Sequence, residues 1–494
     1  MTLRRVNTVR DSSSKSASMA RLGRCAAALL FAGFAGSCTT SEILRVEDPD
    51  VARPEAITGP EGLPSLLAGA IGNFGVTYDG GNDFNQVTLS GQLSDEFINT
   101  ETFPTRIEVD QRRQQVTNGS LSGVYYALQQ ARTAADVAAE GYAKYSATAV
   151  GFAEALNLSA LTHIILAENY CGSVPLSKQT SPGVFEFGPA LTTRELLDRA
   201  IQKADSALAI MGASGANATN ARVARIVKAR ALVDLNDPVA AATAINGTAG
   251  VPTTFQYNYI HTEVTTRQNN GTWNLIQNSG RFGVADVEGL NGLPFRSEGD
   301  TATPAAARDP RVANVRRPTN SGRGFDGATN MWWQLKYPVR SAPITIADGV
   351  EARLIEAEAA LRTGNYATAT TGTLAILNAL RADAAVAALR GYTRAMPALV
   401  AAATQVDQEN QLFKERAYWL FLTSHRLGDL RRLSRPANAA PPAIAGYGRG
   451  IETVYPTGNY HKGGTYGIDV NSPVPQAEEN NPNFVRNSCN VAAP

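Results

Sequence analysis

The chain has 494 residues, 44% of them hydrophobic, enough to bury a sizeable core in one large domain or a few ordinary ones, which excludes a disordered chain. Lys and Arg total 45 against 44 Asp and Glu, so the chain has no bulk basic field to hold nucleic acid.

Residues 1–18 are polar and Ser-rich, and Met19 is a candidate alternative start. Arg21 and Arg24 then precede the apolar run Cys25–Phe34 and the small residues Ala35-Gly36-Ser37 before Cys38. This order of basic, apolar and small residues predicts an export signal over residues 1–37, with an apolar run too short to span a bilayer. The segment ending at Cys38 resembles a bacterial lipobox, with Ala35 in place of the more usual Leu. That resemblance implies a lipid-modified Cys38 at the mature N-terminus, the alternative being an ordinary cleaved signal. No later segment reads as a membrane-crossing helix. The remaining Cys171 and Cys489 either bond to each other, tying the C-terminal tail to the core, or stay as two buried thiols.

After a polar tether, Thr39 to Glu42, Pro49, Pro54, Pro60 and Pro64 punctuate an irregular entry. Helices then dominate. Leu121–Tyr145 carries Val124, Leu128, Ala131 and Ala135 on one stripe, and Phe152–Asn169 follows, stopping before Gly172 and Pro175. Thr192–Met211 opens on a Thr192/Thr193 cap with Glu195 behind it. Asn220–Leu235 and Pro238–Ile245 are joined through Asn236-Asp237, with proline at the first turn of the second helix. Val350–Thr363 and Tyr366–Ala382 read as a helical hairpin turning at Gly364, with small residues at the crossing as in a tetratricopeptide-type unit. Residues 246–349, and 72–105 likewise, lack helical periodicity and predict loops and short strands of the kind that carry binding function. Finally, Phe413, Ala417, Leu420, Phe421, Ser424 and Leu427 mark one helical stripe, flanked by Glu415, Arg416, Arg426, Asp429 and Arg432, which must pair or reach solvent.

No catalytic constellation is evident. His163, His261, His425 and His461 are dispersed, and none begins a zinc-protease motif. Gly322-x-Gly324-x-x-Gly327 matches a dinucleotide fingerprint in letters but lacks the strand and helix that give it meaning. Asp79, Asn82, Asp83 and Asn85 lack the order of a calcium loop and read as a solvated turn. Asp95 and Glu96 are adjacent, so they do not converge on one point as a glycosidase pair must. Tyr78, Phe84, Tyr257, Tyr259 and Trp273, set among amides such as Asn85, are the candidate ligand residues, because sugars stack C–H faces on rings and offer hydroxyls to amides. Trp332 and Trp333 fall in a strand and point to opposite faces.

Six segments together carry a family resemblance: Asn169-Tyr170-Cys171-Gly172-Ser173-Val174-Pro175-Leu176; Asp309-Pro310-Arg311; Lys336-Tyr337; Leu354-Ile355-Glu356-Ala357-Glu358-Ala359; the Glu415-Arg416 to Arg431-Arg432 run; and Pro473-Val474-Pro475 with Asn481-Pro482. In order and spacing they resemble the SusD/RagB family of outer-membrane nutrient-binding lipoproteins. Ser424 and Cys171 depart from the family's usual residues.

The resemblance implies a mostly α SusD-like fold: tetratricopeptide-type hairpins over roughly 106–245 and 345–435, a loop-rich ligand region with a few short strands over 246–344 with 72–105, and a tail over 436–494. It also implies a non-catalytic lipoprotein, lipidated at Cys38, on the outer leaflet of the outer membrane. There it would act as the lid of a SusC-like TonB-dependent transporter that takes up an oligosaccharide, without a cofactor or metal. A surface glycoside hydrolase or lyase, a peptide-uptake component and a repeat scaffold are the alternatives.

Overall fold

In the computed structural model the described residues are 59–494, except 82–83, 182–183, 212–217 and 394–395. The export signal, Met19 and Cys38 lie outside them, as do Asn82 and Asp83. The main helices are α1 Leu63–Asp79, α2 Gln86–Leu93, α3 Gly119–Tyr145, α4 Val150–Asn169, α5 Thr193–Met211, α6 Ala218–Asp234, α7 Pro238–Ile245, α8 Gly349–Arg362, α9 Thr373–Ala382, α10 Gln405–Trp419 and α11 Arg426–Ser434.

From α3 to α9 each helix packs on the next, and α1 packs on α3. Short connections make α3 and α4, and α6 and α7, antiparallel neighbours. Their starts are written in local chemistry. Thr192 and Glu195 form a reciprocal cap, with Thr192 N–H donating to Glu195 Oε2 (2.8 Å) and Glu195 N–H to Thr192 Oγ1 (3.2 Å). Asp237 accepts from Ala240 N–H just ahead of Pro238 at the first turn of α7. Small residues let the helices approach: Ala155, Ala160, Ala200, Ala204, Ala207, Ala224 and Ala229 are all buried.

By length and composition α4 could cross a membrane, against the sequence expectation that no such segment follows the signal. It does so because it is apolar all round: 78% of its most apolar stretch is buried inside the protein, which makes it the central core helix.

Three further expectations change. Residues 72–105 are not only loop and strand, since α1 runs through residue 79, α2 takes 86–93, and every residue of α2 is buried. A helix buried on all sides shows no periodic stripe to read. In the 350–382 hairpin the second helix begins at Thr373, after a turn through Gly364 (φ 73°). The stripe from Phe413 to Leu427 is not one helix. It breaks between α10 and α11 at Leu422 (φ 56°) and Ser424 (φ 60°), a left-handed conformation that non-glycine residues rarely adopt.

The charges of that segment are buried and paired. Arg416 binds Asp429 through two bonds of 2.9 Å. Arg432 reaches Asp429 (2.8 Å), Glu358 of α8 (3.0 Å) and Asp234 of α6 (3.0 Å). Glu415 takes Arg311 (2.6 and 3.0 Å) and Arg381 of α9 (2.7 Å), while Arg311 also holds Asp309. Arg426 grips Asp95 (2.6 and 2.9 Å) and Glu96 accepts Leu422 N–H (2.9 Å), so both acids are structural. Burial alone would push Asp429 up; Arg416 and Arg432 outweigh it and hold the carboxyl well below its ordinary range.

The tail runs back along the end of α4. Ser472 N–H donates to Asn169 O (2.7 Å) and Cys171 N–H to Ser472 O (2.9 Å). Cys171 and Cys489 form a disulfide with Cα atoms 4.9 Å apart.

Candidate functional site: an exposed aromatic and guanidinium cluster

Three separate segments meet at a two-stranded antiparallel ribbon, Phe97–Asn99 against Phe282–Val284, with Asn99 opposite Phe282. The chain leaving the first strand carries Phe103, and the residue entering the second is Arg281. The turn bearing Phe325 is laced onto the same ribbon, with Phe325 N–H donating to Gly280 O (2.7 Å) and Asp326 N–H to Thr100 O (2.9 Å). Gly324 is required there, because a Cβ at that position would lie 2.2 Å from the Thr100 side chain.

The result is a small platform on the surface. Phe103 is 45% exposed and Phe325 51% exposed. The Arg281 guanidinium lies over both rings, 4.8 Å from the Phe103 centroid and 4.4 Å from that of Phe325. Beneath it, buried Glu101 accepts from Arg281 Nη1 (2.8 Å) and more distantly from Arg106 (3.4 Å), whose guanidinium also faces Phe103 at 5.3 Å. Burial raises the Glu101 carboxyl above its ordinary value, and the two arginines oppose that rise. Asp326 is held at about 2: burial pushes it up, but bonds from Lys462 and from the Thr329 hydroxyl and N–H outweigh the penalty. Such a surface offers apolar faces for stacking beside fixed guanidinium donors.

The residues singled out from sequence lie elsewhere. Tyr78, Phe84 and Asn85 are buried, which corrects the expectation that they face a ligand. The Tyr78 hydroxyl donates to Thr423 O (2.6 Å), Phe84 packs against Phe282, and Asn85 caps α2. Tyr257, Tyr259 and Trp273 are half-buried and do not join the platform. Tyr257 donates to Glu154 (3.2 Å), Tyr259 lies edge-on to His261 over Gly75, and Trp273 sits under Arg340. Asp79 is not in a solvated turn: it is buried and accepts from Thr272 N–H (2.8 Å) and Oγ1 (2.9 Å). Trp332 and Trp333 are both half-buried, with Trp332 Nε1 donating to Asp300 (2.9 Å).

Phe103, Arg281 and Phe325 were missed. The available signal was composition: each phenylalanine has only polar residues, Gly or Pro on either side, Thr102 and Pro104 around Phe103 and Gly324 and Asp326 around Phe325. The letters Gly322 to Gly327 form the turn that presents Phe325.

Stacked helical hairpins joined to a loop-rich region with short strands define a mostly α architecture. No protein-family model matches the chain, nor does any curated protein, but solved structures match it in fold. A SusD-like carbohydrate-binding protein from Bacteroides vulgatus is 12% identical, with 88% of this chain and 99% of that one covered at a TM-score of 0.57. A SusD superfamily protein from Bacteroides fragilis is 14% identical, covering 86% and 99% at a TM-score of 0.57. NanU of B. fragilis is 12% identical, covering 89% and 99% at a TM-score of 0.56. The chain has the SusD fold, in agreement with the resemblance read from its sequence.

Proposed function

We propose that this protein is a non-catalytic nutrient-binding lipoprotein of the outer membrane, anchored through Cys38, that takes an oligosaccharide on the Phe103–Arg281–Phe325 platform. The observation that carries the reading is two exposed rings that share one guanidinium, on a fold shared with proteins described as carbohydrate-binding. A ring left exposed on a rigid ribbon loses little entropy when a sugar face stacks on it. No bond has to be made or broken. Capture followed by closure over a SusC-like TonB-dependent barrel needs only that the ligand bind the closed state better than the open one.

Binding is tested on the tag-free mature chain against a glycan array, followed by calorimetry on the best hit. With each ring contributing about 1 kcal/mol, the F103A/F325A double variant is expected to bind some thirtyfold more weakly, with unchanged unfolding behaviour. Equal affinity of the variant and the parent would remove the platform from the reading. Peptides bound in place of glycans would transfer the same surface to a peptide-uptake role.

Partnership is tested by using the protein as bait from gently solubilised outer membranes. A stoichiometric TonB-dependent barrel is expected in the eluate, and is expected to be lost when Cys38→Ala releases the protein from the membrane. A reproducible absence of the barrel with the intact, lipidated protein would favour a free-standing role.

A further inference from the structure

A second cluster is joined to the same ribbon through Asn99. One donor atom each of Asp110, Glu288 and His461 lie within 4.8 Å of one another. Asp110 is 1% exposed and Glu288 6% exposed, while the His461 side chain is 21% exposed, so the cluster is reached from one side only. Asp110 Oδ2 accepts from the Tyr460 hydroxyl (2.7 Å) and from Asn99 N–H (3.3 Å), and Glu288 Oε1 accepts from the Tyr466 hydroxyl (2.8 Å). The second oxygen of each carboxylate, Asp110 Oδ1 and Glu288 Oε2, is buried without any hydrogen-bond partner. Among the described residues no lysine or arginine forms a salt bridge with either acid, and nearby Lys462 is taken by Asp326.

Two buried carboxylates that each leave an oxygen idle are costly unless a cation fills the gap. The imidazole is arranged to help. His461 Nε2 lies 2.8 Å from Asn99 O, and a carbonyl only accepts, so Nε2 carries the proton and Nδ1 presents its lone pair. That nitrogen is the one nearer Asp110, 4.0 Å from Oδ2. A ring N–H anchored on a backbone carbonyl, with the other nitrogen free, is how metal-binding histidines are commonly oriented.

We propose that Asp110, Glu288 and His461 form a site for a divalent cation of the zinc or manganese class, which accepts mixed oxygen and nitrogen ligands. Three protein donors suit such an ion, with the Tyr460 and Tyr466 hydroxyls orienting the carboxylates from outside. The ion would also fix the tail segment around Tyr460–Tyr466 against Asn99.

The test is titration calorimetry of the tag-free, EDTA-treated mature chain with Zn2+ and, separately, Mn2+, alongside the variants H461A and E288Q. One equivalent of at least one ion is expected, with affinity at least tenfold weaker in both variants. H461A removes a partly exposed side chain and so tests the site without depending on the tolerance of the buried acids. No saturable binding to the parent chain would overturn the proposal and leave a pair of acids held by a proton. Affinity unchanged in H461A would overturn it equally.

Discussion

Replacing Asp429 by alanine is expected to lower the stability of the folded chain by about 3–5 kcal/mol, the largest effect of any single substitution considered. Asp429 is the carboxylate on which two arginines converge, Arg416 with two bonds of 2.9 Å and Arg432 at 2.8 Å. All three residues are buried. Removing the acid leaves Arg416 with Glu358 at 3.7 Å, while Arg432 keeps Glu358 and Asp234. Three guanidinium–carboxylate bonds are lost in a buried site. The measurement is the midpoint of urea unfolding at neutral pH. A shift equivalent to less than about 1 kcal/mol would mean that the pair contributes no more than a surface bridge, and the account of the seam would be wrong. The low titration of Asp429 gives the sign with pH: its contribution is complete above the ordinary carboxylate range and is lost as the pH falls through its depressed folded value.

Loss of the Cys171–Cys489 bond ranks second. The double variant C171A/C489A is expected to lose about 2–4 kcal/mol, because the cross-link restrains an unfolded loop whose ends are 318 residues apart. The folded contacts around it are few: the two backbone bonds of Ser472 with Asn169 and Cys171, one from Val470 to Val491, and the paired hydroxyls of Ser173 and Ser488. The tail is therefore expected to become the first segment cut in limited proteolysis of the variant, while the parent chain resists. Identical unfolding midpoints and cleavage patterns for the two proteins would rule the bond out as a structural tie.

Much of the scaffold was legible, and the reason is the charges. Asp309, Arg311, Glu358, Glu415, Arg416, Asp429 and Arg432 stand in segments that carried the resemblance, and in the structure they are one another's partners. A buried charge demands a partner, so its position in the chain carries information about a distant one. Helices α3, α5 and α7 were legible through stripes and caps. The break at Leu422 and Ser424 was not, because nothing in those residue types announces a left-handed backbone. Residues 72–105 failed for the opposite reason: α2 is buried on every side, and amides such as Gln86 and Gln92 within it read as loop. The platform was hidden because its parts are far apart, Phe103 and Phe325 meeting only through a ribbon that pairs Asn99 with Phe282.

The bond between Cys171 and Cys489 also makes the chain between them a covalent ring. Arg281 and Phe325 both lie inside that ring. A single nick by a protease anywhere along it leaves two fragments that cannot part until the bond is reduced. A molecule damaged once in an exposed loop thus keeps all its pieces together, and its ionic seam has the chance to hold the original shape.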